Sequence, residues 1–344
     1  MPADADARLM RVALAEARRG LGLTSPNPAV GAVIAKNGRV LAKGYHHRAG
    51  QPHAEIEAIG AISPARARGA TIYVTLEPCS THGRTPPCVE AIIRAGFARV
   101  VIGAIDQNPK HAGRGVALLR EAGLEVATGL LEEECHELNV AFNQWIVSRR
   151  PWVIAKAGLS LDGRITRPPG EGQWLTSEAS RADAQQLRLR ADAIVIGANT
   201  LRQDNPRLTV RGIAGAEEKQ QPWRVVVSSG KNPLPKEAHL FADAHRERTL
   251  VYRGKTLAAI LRELGREREV TCVLIEGGTR VLGEAFDRRL VDEVCFYLAP
   301  LLCGGPGVAV GGRGVNDPVE APALTQVRYA RIGDDLRMSG RVAR

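Results

Sequence analysis

At 344 residues the chain is long enough for two domains, each with a core of its own. Apolar residues make up 44% and charged residues 24%, which excludes a disordered or fibrous chain, and aromatics at 4% argue against base-stacking platforms for single-stranded nucleic acid. The net charge of +10 comes without a dense Lys/Arg block, so a phosphorylated small molecule is expected as the anionic partner rather than nucleic acid.

The opening MPADADARLM is acidic and lacks an apolar h-region, so no signal peptide is expected. No run approaches a membrane span, and the expected location is cytoplasmic. Helical periodicity through Leu9, Met10, Ala13, Leu14 and Ala17 predicts a helix over 4–19, ended by Gly20. Strands are predicted over 30–34 and 40–44, joined at Asn37-Gly38, a strong hairpin signal. Asn27, between two prolines, stands at the entrance to the first strand. Its amide can donate to and accept from a pyrimidine edge, or it serves only the turn.

The stretch 52–88 carries the chemistry. PHAEIEAIG supplies His53 and Glu55, and EPCSTHGRTPPC supplies Cys79 and Cys88. One imidazole and two thiolates form a three-ligand set for zinc that leaves a position for water. His-x-Glu followed by Pro-Cys and a second Cys is the zinc deaminase signature, with the Glu handling protons. Two residues apart on a helix point roughly 200° from each other. Pro52 therefore places His53 and Glu55 in a first turn, where directions still vary, and Pro86 and Pro87 do the same for Cys88. A helix mouth also lowers a thiol pKa. The bland alternative is a buried His, a surface Glu and two incidental thiols. Four residues in this order, each beside its Pro, favour zinc. The remaining Cys135, Cys272, Cys295 and Cys303 read as core thiols in a reducing compartment.

Beyond this stretch, strands are predicted over 70–76, 99–105 and 124–128, and helices over 88–95, 116–122 and 132–147. The alternation implies a layered α/β sheet with its site at strand-to-helix turns. The runs PNPAVGAVI, GYHHRAGQPHAE, EPCSTHGRTPPC and DQNPKHAGRG resemble the deaminase half of the bifunctional riboflavin biosynthesis deaminase-reductase family, including the eight residues between Cys79 and Cys88. The resemblance implies a cytidine-deaminase-like three-layer domain. It also implies that Asn27 and His46 touch the pyrimidine or its ribose, and that His82, Arg84, Asp106 and Asn108 shape the pocket. Gln107 and Glu57 depart from residues common in the family.

Ser148-Arg149-Arg150-Pro151 marks a boundary, giving domains 1–148 and 149–344. WVIAKAGLSLDGRIT then begins a second half that resembles the family's reductase. Ser177 is predicted to cap a helix over 178–190. Strands follow over 192–197, 224–228, 249–252, 270–275, 291–298 and, at the end, 325–332. No Gly-x-Gly-x-x-Gly follows a strand, so a Rossmann site is not supported; Gly277 and Gly278 allow a close backbone approach to phosphate. The resemblance implies a dihydrofolate-reductase-like α/β fold that uses NADPH. It implies cofactor contacts from Gly158, Trp174, Thr200, Asp204 and Ser229, and from the turn Gly278, Thr279, Arg280, Val281, Leu282, Gly283 and Glu284. It implies substrate contacts from Arg188, Leu208, Arg211 and Glu276, with Lys156 orienting the substrate and Asp162 also family-like.

The expected enzyme is therefore a zinc deaminase joined to an NADPH-dependent reductase, acting on phosphorylated ribosylaminopyrimidines as a homo-oligomer, with neither nucleic acid nor membrane as partner. Gly172 and Ser228 stand where the family often has Ser and Asp. They motivate a rival reading, a deaminase whose reductase half has decayed. A nucleic-acid deaminase or binding protein built on the same zinc core is a further rival.

Overall fold

In the computed structural model, which describes residues 2–81, 86–165, 174–217, 219–305 and 307–343, the first hairpin forms where its turn dipeptide sits. Asn37 and Gly38 take φ of 51° and 73°, so Lys36 pairs directly with Arg39. Around it run α1 (Pro2–Arg19), β1 (Gly31–Lys36), β2 (Arg39–Tyr45), α2 (Ala54–Gly60), α3 (Pro64–Ala67), β3 (Thr71–Leu76), α4 (Cys88–Ala95), β4 (Arg99–Ala104), α5 (Arg114–Glu121), β5 (Glu125–Thr128), α6 (Glu132–Leu138) and α7 (Val140–Ser148). The sheet order is β2-β1-β3-β4-β5; β1 is antiparallel to both neighbours, and β3, β4 and β5 run parallel.

Alternation along the strands splits the core into two layers. Ala32, Ile34, Ile72, Val74, Val100 and Ile102 face Ala54, Ala58, Val89, Ile92 and Leu119 of the helices on one side. Val33, Ala35, Tyr73 and Val101 face Leu9, Met10, Ala13, Leu14 and Cys135 on the other. The result is a three-layer α/β/α unit. The helix expected over 132–147 is broken at Asn139, whose buried side chain accepts from Ala29 N at 2.8 Å and donates to Ala29 O at 2.9 Å. That amide pins the chain where it enters β1.

Contacts divide the chain at Ser148/Arg149. The second unit contains β6 (Trp152–Ser160), α8 (Glu178–Arg190), β7 (Ala193–Gly197), α9 (Ala198–Asp204), β8 (Trp223–Ser228), α10 (His239–Ala242), β9 (Thr249–Arg253), α11 (Leu257–Glu267), β10 (Cys272–Glu276), α12 (Thr279–Asp287), β11 (Glu293–Ala299), β12 (Leu324–Ile332) and β13 (Asp335–Val342). The sheet order is β12-β13-β11-β6-β10-β7-β8-β9, parallel from β11 to β9 and antiparallel at the β11/β13/β12 edge. Ser177 caps α8 by accepting from Ser180 N, as its position predicts. Leu257, Ile260, Leu261 and Leu264 of α11 pack with Val281, Leu282 and Ala285 of α12 over Val153, Val195, Val225 and Val273 of the sheet. Among the described residues, no helix is long and apolar enough to cross a membrane.

Candidate active sites

His53 is the N-cap of α2, with φ −73° and ψ 162°, and Glu55 is the second residue of that helix. The extended cap takes His53 off the helical repeat, so the roughly 200° separation of an i, i+2 pair within a helix does not apply to it and Glu55. Pro52 lies one residue before the cap rather than inside the first turn. Gly44 on β2 makes the position possible: a Cβ there would stand 2.5 Å from Ala54 O, so only glycine lets the α2 mouth sit so close to the strand.

Cys88 opens α4, with Pro87 as its cap. Its Sγ lies 3.3 Å from His53 Nδ1, and Cys79 Sγ lies 3.5 Å from the same nitrogen. Ordinary zinc–sulfur and zinc–nitrogen bonds at a tetrahedral angle require an S···N separation of about 3.6 Å. The three donor atoms all lie within 4.8 Å of one another and fit one ion. The α4 mouth acts on the other thiol than the sequence suggested. Cys88 N donates to Cys79 Sγ at 3.3 Å. The Cys88 thiol donating to it brings Cys79 down to about 4, and Cys88 itself is raised. The Cys79 sulfur in turn raises His53. Glu55 is 3% exposed, and burial pushes its carboxyl up to about 7.

Asn27 and His46 meet beside this centre. His46 Nδ1 lies 3.0 Å from Pro52 O and Nε2 lies 3.1 Å from Asn27 Nδ2. A carbonyl only accepts, so Nδ1 carries the proton and Nε2 accepts from the Asn27 amide. Burial lowers the His46 pKa, which keeps the ring neutral. Both ring nitrogens are thus engaged within the protein, and His46 holds Asn27 in place at the site. Asp106 is buried and accepts from Asn108 N at 2.8 Å, while Asn108 accepts from Lys110 N at 3.1 Å. His82 and Arg84 lie outside the described residues.

Glu77 carries no role in the sequence reading. Its carboxylate accepts from the backbone N–H groups of Asp106 (3.2 Å), Gly113 (2.9 Å), Gly115 (2.8 Å) and Val116 (3.2 Å). One buried side chain, two residues before Cys79, thereby latches the whole β4–α5 loop to the metal turn. Its place in the EPC triplet is the only sequence signal for it.

In the second unit a cleft of about 1830 Å³ opens at the C-terminal ends of β7, β8 and β10. It is lined by Lys156, Gly158, Trp174, Thr200, Asp204, Leu208, Ser228, Ser229, Glu276 and the α12 mouth from Gly278 to Leu282, with Glu284. Gly278 takes φ +52°, and a Cβ there would stand 3.1 Å from Thr200 Oγ1. Gly283 is turned away from the cleft onto Gly311, whose carbonyl carbon a Cβ would approach to 2.4 Å. Arg188 also lines the cleft, but its Nε and Nη2 donate to Glu276 at 2.5 and 2.9 Å, and Nη1 donates to Thr209 O at 3.1 Å. The two residues form a bidentate pair. Burial alone would raise Glu276; the Arg188 charge outweighs it and holds Glu276 down to about 2. Arg211 is exposed and is not among the residues that line the cleft; its Nη1 donates to Thr209 Oγ1 at 3.0 Å, and burial and the charges of Arg188 and Arg207 lower its pKa. Leu208 has a buried side chain and φ +50°, so only its backbone is on offer. Asp162 closes the loop beyond β11 by accepting from Cys303 N and Gly304 N at 3.1 and 2.6 Å. Cys303 is half-exposed at the cleft, not a core thiol; Cys135, Cys272 and Cys295 are buried as expected. Gly172 lies outside the described residues, and Ser228 Oγ accepts from Gly230 N at 3.1 Å.

Residues 3–104 match the model of the cytidine and deoxycytidylate deaminase zinc-binding region, and residues 151–338 match that of the RibD C-terminal domain. The riboflavin biosynthesis protein RibD of Escherichia coli (strain K12) is 39% identical over 360 residues, covering 96% of this chain and 98% of its own length. That of Aquifex aeolicus is 37% identical over 350 residues, covering 96% and 97%. The chain belongs to the RibD family of riboflavin biosynthesis proteins. Among solved structures, Acinetobacter baumannii RibD superposes with a TM-score of 0.91 at 33% identity, covering 99% of this chain and 100% of that one. The Thermotoga maritima diaminohydroxyphosphoribosylaminopyrimidine deaminase/5-amino-6-(5-phosphoribosylamino)uracil reductase superposes with a TM-score of 0.88 at 33% identity, covering both chains in full (100% and 100%). Membership makes the chain a bifunctional deaminase and reductase of riboflavin biosynthesis, with zinc and NADPH as its cofactors. Nothing found favours the rival readings of a decayed reductase or a nucleic-acid enzyme.

Proposed function

We propose that residues 1–148 deaminate 2,5-diamino-6-ribosylamino-4(3H)-pyrimidinone 5′-phosphate and that residues 149–344 reduce the ribosyl side chain of the product to ribityl. The observation that carries the reading is the pair of sulfur–nitrogen separations, 3.5 and 3.3 Å, converging on His53 beside a buried Glu55. His53, Cys79 and Cys88 would hold the zinc, which when bound supplies Lewis acidity that makes water nucleophilic near neutral pH. Glu55 takes the proton of the attacking water and returns it to the departing amino group. Asn27, steadied by His46, pairs with the pyrimidine edge, and the loop latched by Glu77 brings Asp106 and Asn108 to the ring or ribose.

In the second unit the cleft would hold NADPH, which when bound would supply the hydride for C1′ of the ring-opened ribosylamine. The Gly278–Leu282 mouth, Gly158, Thr200, Asp204 and Ser229 support cofactor binding by lining one cleft. Lys156 orients the substrate, and Arg211 meets its phosphate alongside the Arg188–Glu276 pair. Glu276, held ionised by Arg188, is a poor proton donor at neutral pH; Lys156 and Asp204 remain for that role. Six free thiols support a cytoplasmic location, and the exposed edge strand β12, with Tyr329 67% exposed, supports a homo-oligomer. The test is zinc content together with ammonia release and NADPH oxidation on the purified full chain. Absence of either activity at full zinc occupancy contradicts the assignment.

A further inference from the structure

Arg164 follows β6 on the DGRI turn and lines the same cleft. Its side chain is buried, with the residue 9% exposed, yet Nε and Nη1 have no hydrogen-bond partner. No ion pair or side-chain hydrogen bond of Arg164 occurs among the described residues. The acid nearest in sequence, Asp162, is engaged by Ser160 Oγ, Cys303 N and Gly304 N. Three other cations on the cleft have partners: Arg188 has Glu276, Lys255 has Glu263, and Arg202 has the carbonyls of Pro233 and Asn232. A buried guanidinium without an acceptor is costly and persists where something outside the fold supplies one.

Its position indicates what that is. The Arg164 backbone bridges to Val308, and Val308 O accepts from Thr279 Oγ1 at 2.7 Å. Thr279 is the first residue of α12, whose free N–H groups open on the cleft behind Gly277 and Gly278. A guanidinium fork and a helix N-terminus on one cleft suit a phosphoryl group, with the fork pairing two oxygens at once. Gly305, at φ +71°, lies directly beside the fork: a Cβ there would stand in van der Waals contact with Nη1 and Nη2, at 3.6 and 3.8 Å. The substrate-side arginines, Arg188 and Arg211, belong instead to α8 and to the loop before β8.

The geometry points to Arg164 as a cofactor-binding residue that grips a phosphoryl oxygen of the NADPH diphosphate at the mouth of α12. This rests on the reductase reading above. The experiment compares wild type, Arg164→Met and Arg164→Lys as full chains. It measures NADPH binding by fluorescence without substrate, substrate KM at saturating NADPH, and the thermal midpoint without ligand. Arg164→Met raises the Kd for NADPH tenfold or more and leaves substrate KM within twofold. It also keeps or raises the ligand-free midpoint, because it removes an unpaired buried charge. Arg164→Lys, which keeps the charge and loses the fork, falls between. A purely structural arginine would lower the midpoint. The inference is overturned if Arg164→Met binds NADPH within twofold of wild type, if substrate KM rises instead, or if lost affinity comes with a lowered midpoint in both variants. Failure of wild type to bind NADPH overturns the reductase reading itself, and this inference with it.

Discussion

Replacing Glu77 with glutamine tests whether one carboxylate organises the deaminase loop. Oε2 accepts from Asp106 N and Gly113 N, and Oε1 accepts from Gly115 N and Val116 N. The amide keeps one oxygen and turns an NH2 towards the other two donors. Two backbone donors lose their acceptor, each at about 1–3 kcal/mol, so the substitution costs about 2–6 kcal/mol. The lower half of that range is expected, because a surface loop can open to water without unfolding the sheet. Hydrogen exchange across residues 105–116 should therefore speed up by two or more orders of magnitude while the strands stay protected. Zinc content should be retained, since no ligand is touched. Because Asp106 and Asn108 ride on this loop, KM for ammonia release should rise at least tenfold, more than kcat falls. A Glu77→Gln protein with unchanged loop exchange and unchanged KM would refute the latch.

Acid should weaken the second unit through Glu276. Its pKa falls from an ordinary 4.5 to about 2 in the fold, so its stabilising contribution is complete above 4.5 and is lost as pH falls towards 2. The difference corresponds to about 3 kcal/mol, and Glu276→Gln should flatten that part of the stability–pH curve in denaturant titrations. Chelation should abolish ammonia release while NADPH oxidation with the deaminated substrate continues; loss of both together would mean that the zinc serves more than the first unit.

Much of the fold could be read where local chemistry decides it. Asn37-Gly38 sets a hairpin because both residues tolerate positive φ, and Ser177 starts α8 because its hydroxyl finds Ser180 N. The features that could not be read are those whose partner is remote. Asn139 breaks a helix for Ala29, 110 residues away, and Arg188 meets Glu276 across 88 residues. Helix α11 carries local signals of its own, an apolar stripe through Leu257, Ile260, Leu261 and Leu264 and a Thr256 cap that accepts from Ala259 N. Strand β13 alternates weakly because it lies near an exposed edge, so its pairing with β11 rather than its composition defines it. At the metal site the residue types and order were legible. That Cys79 rather than Cys88 receives the helix N–H was not, because it depends on where the Cys79 sulfur sits against the α4 mouth, nine residues further along the chain.

The central claim is that Glu55 moves protons at a zinc held by His53, Cys79 and Cys88. The most direct measurement is ammonia release by Glu55→Gln alongside its zinc content. The account predicts one zinc per chain, as in wild type, with ammonia release reduced by about 10²–10⁴-fold. Ammonia release at the wild-type rate from the zinc-loaded variant would contradict it.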